Sequence, residues 1–356
     1  MKNVRLFTAL LPVMLVALSS CTSKSGSNKK SIMTPTATGA PYEMLVVADP
    51  EDYQNGAFDA LYEVLTDDIP GLPQSEEFFK VSKTTSKDFN RAHRYCRNII
   101  IVKIDRMFTQ AKYKFSRDVY ASPQIVMTIQ APDVAQFKQF LEKSGSGILS
   151  FFDKVEINRE VEHLKRRHHP VIQEKVKEIF DCDVYVPEDL RRMKTARNFL
   201  WASTDKGERD MNFVIYSYPY TDPNTFTAEY FFDKRDSVMQ RNIPGPREGQ
   251  YMTTTREFVK VRDAEVKGKY AQIARGLWDM KNYDMGGPFV SISRVDEKNQ
   301  RVIVVEGFVY APGDSKKGLM RRMEASLYTL KLPDEIDEEN FNFKIDEITI
   351  NPDDEQ

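Results

Sequence analysis

Cysteine, histidine and tryptophan are scarce in this chain of 356 residues, which has three, four and two of them. Cys96 and Cys182 are far apart and stand clear of any paired histidines, so no metal-ligand spacing is present. The clustered histidines His163, His168 and His169 are five and six positions apart, whereas two ligands on one helix face need three or four. An excess of one charge is also missing: 51 basic residues face 53 acidic ones. That balance argues against a dedicated nucleic-acid binder, whose basic residues would outnumber the acids and gather on one face. No Gly-x-Ser-x-Gly elbow, phosphate loop or dinucleotide fingerprint occurs, so the sequence names no catalytic residue and calls for no cofactor. No apolar run reaches the roughly 20 residues that a membrane-spanning helix needs.

What is present starts at the N-terminus. Lys2 and Arg5 precede a nearly unbroken apolar run from Leu6 to Leu18, and small residues Ser19 and Ser20 precede Cys21. This is the order of a secretory signal. Leu18, Ser19, Ser20 and Cys21 resemble the lipobox of bacterial lipoproteins, in which the cysteine is acylated after residues 1 to 20 are removed. The resemblance implies a lipid anchor, palmitate or a similar chain, on Cys21, with the lipid bilayer as its first partner. Each buried methylene adds about 0.8 kcal/mol, so two or three acyl chains hold a domain durably where one does not. The competing reading is an ordinary secreted protein with a chance cysteine. Residues 21 to 38 are rich in Ser, Thr, Lys, Gly and Asn, the composition of a flexible tether. Loss of residues 1 to 20 would leave 49 basic against 53 acidic residues.

With 41% hydrophobic residues the rest can bury a sizeable core. A first α+β unit is expected over 39 to 146. It has strands at Met44 to Val47, Phe78 to Lys83, Asn98 to Ile104 and Gln124 to Gln130, a helix carrying Phe58, Leu61 and Leu65, and a second helix opened by Ala131, Pro132 and Asp133. A helical connector over 147 to 192 follows, with Ile157, Val161, Leu164, Ile172 and Val176 near heptad spacing and Pro170 forcing a kink or a new start. A short strand is expected at Val184 to Val186. A second unit over 193 to 332 runs through strands at Asn198 to Ala202, Phe213 to Tyr218, Tyr251 to Thr255, Phe289 to Val295 and Val302 to Tyr310. Its helices cover Phe226 to Gln240 and the stretch from Leu319 to Leu330. Residues 333 to 356 form an acidic tail, with an edge strand at Phe343, Ile345, Ile348 and Ile350.

The Ile-Pro-Gly marks at Ile69 and Ile243 are 174 residues apart and the Ala-Pro marks at Ala131 and Ala311 are 180 apart. This near-constant offset predicts an internal repeat, against the plainer view that Pro and Gly end helices everywhere. The predicted fold class is therefore α+β, two related units of mixed β-sheet with packed helices, joined by a long central helix.

One constellation points to a ligand. Trp278 and Tyr283 precede Gly286 and Gly287, and Glu306 and Gly307 interrupt a later strand. Glycine in a strand marks a bulge or a close backbone approach. The aromatic pair would wall a ligand and Glu306 would be its polar contact; in the plainer reading the glycines serve a bulge and the aromatics fill core. The run Lys165 to His169 reads as a charged helix face, or as a contact for lipid headgroups or polysaccharide. Cys96 and Cys182 are read either as one disulfide, which an oxidising compartment would preserve, or as two small buried hydrophobes.

The segment Gly39 to Val47, with Pro70 to Gln74 and Arg97 to Ile100, is similar to a lipoprotein family of diderm bacteria classed as a domain of unknown function, DUF4837-like. Gly286 to Ser291 and Val305 to Pro312 match the same family, so the resemblance covers nearly all of the chain after Cys21. It implies a cell-envelope lipoprotein and brings no activity, cofactor or site residue with it. Thr22 after the cysteine, in place of aspartate, is the residue that outer-membrane sorting favours, which would leave the domain facing the periplasm. The function expected is a non-enzymatic binding or scaffolding module that engages an envelope protein or a cell-wall component. The alternative is a hydrolase of envelope glycan or lipid that uses carboxylates as acid and base.

Overall fold

The structure, a computed structural model, describes residues 34–345. The signal segment, Cys21, most of the tether, and Ile348 and Ile350 lie outside the described residues.

The first sheet is built from β1 (Glu43–Ala48), β2 (Lys80–Thr85), β3 (Asn98–Ile104), β4 (Lys112–Arg117) and β5 (Ile125–Ala131), with helices α1 (Ala57–Leu65), α2 (Arg91–Arg94) and α3 (Val134–Arg166). Its order is β2-β1-β3-β5-β4. The first four are mutually parallel and β4 runs antiparallel on the edge, so the sheet is mixed. Met44, Val46, Ile100, Met127 and Ile129 face α1 and α3, while Leu45, Val47, Ile99 and Val126 form a small cluster on the opposite face. Apolar side chains on both faces suit central parallel strands.

After α4 (Pro170–Phe180) the second sheet holds β6 (Arg192–Ala196), β7 (Phe199–Ser203), β8 (Asp210–Pro219), β9 (Met252–Val266), β10 (Lys269–Met280), β11 (Tyr283–Asp296) and β12 (Arg301–Tyr310). Helix α5 (Ala228–Asn242) covers one face and α6 (Lys317–Tyr328) the other, which α4 and the end of α3 share. The order is β6-β7-β8-β12-β11-β10-β9, and every pairing is antiparallel. The α+β class and the two sheet units stand.

The internal repeat does not. Both halves run strand, helix, four strands, helix, but the first strand of one half lies between two parallel partners, whereas its counterpart β8 pairs antiparallel with β7 and β12. Proline and glycine repeat the punctuation; they do not set the pairing.

Three further differences have local causes. The helix opened by Asp133 runs unbroken for 33 residues to Arg166, through the expected border at 146. Gly145 does not interrupt it, because a Cβ there would meet Val64 Cγ2 at 2.9 Å, and the bare backbone lets α1 pack close. Pro170 starts α4 at a position where its missing N–H is not needed. Val184 and Val186 are fully buried but form no strand; they are flanked by isolated bridges that join Asp183 to Lys331 and Pro187 to His168. The end of the described chain forms no edge strand either. Asn158 and Phe343 exchange two hydrogen bonds of 2.8 and 2.9 Å, and Ile345 packs onto the first core, so this segment straps α3.

Asp133 caps α3 by accepting from the Gln136 amide at 2.8 Å, and this bond holds its carboxyl below the usual range. Asp133→Ala is expected to lower stability by about 1 kcal/mol, read by urea denaturation.

Candidate functional site

Seven strands converge at one end of the second sheet, where β6, β8, β9 and β11 begin and β7, β10 and β12 finish. On the α5 face of that end lies a cleft of about 540 Å³. Trp201, Trp278, Phe308, Tyr310 and the methionines Met193, Met252, Met280 and Met285 form its walls. The turn from Ile243 to Pro246 closes one side. There Gly245 donates to the Gln250 carbonyl at 2.7 Å and Met252 to the Ile243 carbonyl at 3.1 Å. A Cβ on Gly245 would come within 2.5 Å of Gln250 Cβ, so the turn is tight because residue 245 has no side chain. The cleft is concave, with apolar walls and a charged and polar rim, a combination that ligand sites use.

Its polar rim is already organised. Trp201 Nε1 donates to Asn212 Oδ1 at 2.9 Å, and Asn212 Nδ2 donates to Asp210 Oδ2 at 3.2 Å. Thr204 donates to the other Asp210 oxygen at 2.6 Å. Arg192 pairs with Asp205 at 2.7 Å and Lys194 donates to the Asn242 carbonyl at 2.8 Å. Trp278 is 2% exposed, stands edge-on to Phe308 at 5.4 Å and donates to the Val309 carbonyl at 3.3 Å. Methionine adapts its shape to what it touches, and the half-buried Trp201 indole offers a flat face for a ring or aliphatic group.

The residues singled out in the sequence divide. Trp278 is in the wall. Gly286 and Gly287 pair with Asp279 and Trp278 across the β10–β11 ladder, beside the wall and outside the lining. The ladder shifts register between Asp279 and Met280, the bulge foreseen from the glycines. Tyr283, 46% exposed, lies at the β10–β11 turn and outside the cleft. Glu306 is a correction as a polar contact of the cleft. It is fully buried away from it, in a two-pronged ion pair with Arg235 of α5 at 2.7 and 2.9 Å. Burial pushes its carboxyl up, against the pull of the guanidinium.

Cys96 and Cys182 are free, so no disulfide joins them. Cys96 adjoins the first sheet, and Cys182 lies in the core under the second, where burial pushes its thiol up to about 12. The histidines scatter too. His168 packs on Tyr185 with ring centres 4.5 Å apart, and His169 accepts from the Ile172 amide at the start of α4. His163 faces a second cleft, between the sheets.

Residues 37–165 match the model of one domain of unknown function, DUF8532, and residues 169–329 match that of another, DUF4837. The border between the two matches falls at the break between α3 and α4. No curated protein compared with the chain matches it.

Proposed function

We propose that the chain, which is similar to a DUF4837-like family of unknown function, is a non-enzymatic binding module of the cell envelope. In this reading acylated Cys21 anchors it to the outer membrane, facing the periplasm, and the tether lets the domain reach an envelope protein or a cell-wall component. The observation that carries the reading is the aromatic and methionine cleft. It presents the Trp201 indole, methionine side chains and a polar rim, and the two carboxylates in its lining are engaged by Arg192, Thr204 and Asn212. A glycan or lipid hydrolase needs an acid and a base facing each other across the substrate, and Asp205 and Asp210 are arranged instead as structural acceptors. No helix among the described residues is long and apolar enough to cross a membrane; in this reading the attachment is through Cys21.

In-cell crosslinking from a photoreactive residue at Met193, on the cleft wall, tests the proposal. A discrete protein or glycan adduct is expected from the parent chain. Trp201→Ala, which removes a half-buried wall, should cut its yield at least tenfold and leave the fold intact, and Cys21→Ser should release the chain from the membrane fraction. Recovery of lipid alone, or an adduct indifferent to Trp201, would overturn the binding reading.

A further inference from the structure

The second cleft, of about 700 Å³, lies between the start of β1, the second half of α3 and the first turns of α6. Seven arginine and lysine side chains line it against two carboxylates, Glu156 and Glu160, in a chain whose overall charge is only −2. Most of those bases are held by acids. Arg97 and Arg159 pair with Glu156 at 2.9 and 2.6 Å, Arg321 with Asp153 at 3.0 Å, Arg322 with Asp189 at 3.2 Å, and Arg209 with Asp314 at 3.6 Å. Glu324, also near Arg321, is neutralised by Arg275. Against these carboxylates the seven bases leave two positive charges, those of Arg166 and Lys317, and Glu76 and Glu77 also lie near Lys317. Neither Arg166 nor Lys317 makes a salt bridge among the described residues, and Lys317 Nζ donates to the Glu77 carbonyl at 2.6 Å. Glu76 accepts from the Lys316 and Lys317 amides at 2.7 and 3.1 Å and is thereby fixed at the start of α6.

Arg321 supplies the independent observation. Its side chain is only 9% exposed, clasped by the rings of Tyr42 and Phe78 at 5.0 and 4.4 Å, yet Nε and Nη2 have no hydrogen-bond partner. Arg97 Nε, also in the lining, has none either, and nor do the carboxylate oxygens Glu156 Oε2 and Glu160 Oε1. A buried guanidinium with unmade hydrogen bonds is costly unless something complements it. Gly318 opens the cleft beside them, since a Cβ there would meet nothing within 4 Å. Tyr42, Ile157 and Leu319 give it an apolar floor.

We propose that this cleft binds a phosphate monoester: a dianion matched to the two surplus charges, carried on an organic body that lies against Tyr42, Ile157 and Leu319. Guanidinium groups meet phosphate oxygens with paired, charge-assisted bonds, and it is the second negative charge that favours a monoester over a single carboxylate. The proposal stands apart from the aromatic cleft and does not depend on it.

Calorimetric titration of the full chain with glycerol 3-phosphate, and flotation with phosphatidylcholine vesicles with and without phosphatidic acid, present the same monoester free and on a lipid. Saturable binding of at least one probe is expected, weakening as salt is raised. The Arg166→Ala, Lys317→Ala double variant should bind it at least tenfold more weakly with an unchanged melting temperature. Response to phosphatidic acid alone identifies a lipid source and supports the site. Indifference to both probes, equal affinity for glycerol, or undiminished binding by the double variant overturns it.

Discussion

Glu306→Ala is expected to lower the unfolding free energy by roughly 3–5 kcal/mol, the usual cost of stranding one member of a buried ion pair. Calorimetry should show a fall in melting temperature on the order of 10 °C. Arg235 reaches from the middle of α5 to the sheet, where it bonds both Glu306 oxygens and Thr254 Oγ1 and lies over the Phe289 ring at 4.0 Å. Both side chains are wholly buried. With the carboxylate gone, the guanidinium has no counter-charge and no water. Arg235→Met combined with Glu306→Leu removes both charges while keeping volume, and should recover most of the loss. A ligand contact would behave differently: its alanine variant would melt like the parent and lose only binding. The pair also holds α5 onto the sheet, and α5 leads into the turn that closes the aromatic cleft, so the single variant should bind its cleft ligand poorly as well.

The contrast between the two halves shows which parts of the fold can be read from the chain. Order and type of element are local matters, set by apolar periodicity and by stops such as Ile69-Pro70-Gly71 and Ile243-Pro244-Gly245. Nearly all the expected helices and most strands are where that grammar puts them. Pairing depends on what comes together across the chain. One usable signal for the second sheet was passed over: Lys267-Gly268 lies between β9 and β10, and both residues have positive φ, 55° and 73°. That is the geometry of a tight hairpin, and it implies antiparallel neighbours and a strand at β10 that periodicity did not reveal. Strand β6 gives no signal at all, because its five residues are exposed and nothing alternates.

The candidate site was legible only at Trp278, where the neighbouring glycines announced an unusual stretch of strand. Of its other walls, Met193 and Trp201 share the β6–β7 hairpin while Met252 opens the distant β9, and no spacing rule joins them before the sheet order is known. Glu306 misled for a definite reason. A charged residue in an apolar strand signals a buried charge, but the sequence cannot say whether its partner is a ligand or an arginine 71 residues away. The basic run Lys165 to His169 likewise divides in space. Arg166 turns to the cleft between the sheets, Arg167 pairs with Glu188, and His168 packs on Tyr185.

Gly287→Ala should cost roughly 3 kcal/mol or more, at the upper end of overpacking effects, because the added methyl has nowhere to go. A Cβ at this position falls 2.1 Å from the Val309 carbonyl oxygen and 3.2 Å from Trp278 Nε1. The first obstacle is backbone of β12, which cannot rotate aside, and the second is the indole that donates to that same carbonyl. Strand β11 has left its ladder with β12 here, where Phe289 and Phe308 make the last pair, but it continues beside β10. Glycine at 287 is thus what lets three strands close around Trp278. Relief requires moving β12 outward or displacing the indole, and either change reshapes the cleft wall, so affinity should fall together with the denaturation midpoint. Gly318→Ala is the matching control. That helical residue has open space around it, and alanine there should be neutral or stabilise by up to about 1 kcal/mol through helix propensity. If Gly287→Ala unfolds at the same urea concentration as the parent, the close approach of β11 to β12 is not what fixes Trp278 in place.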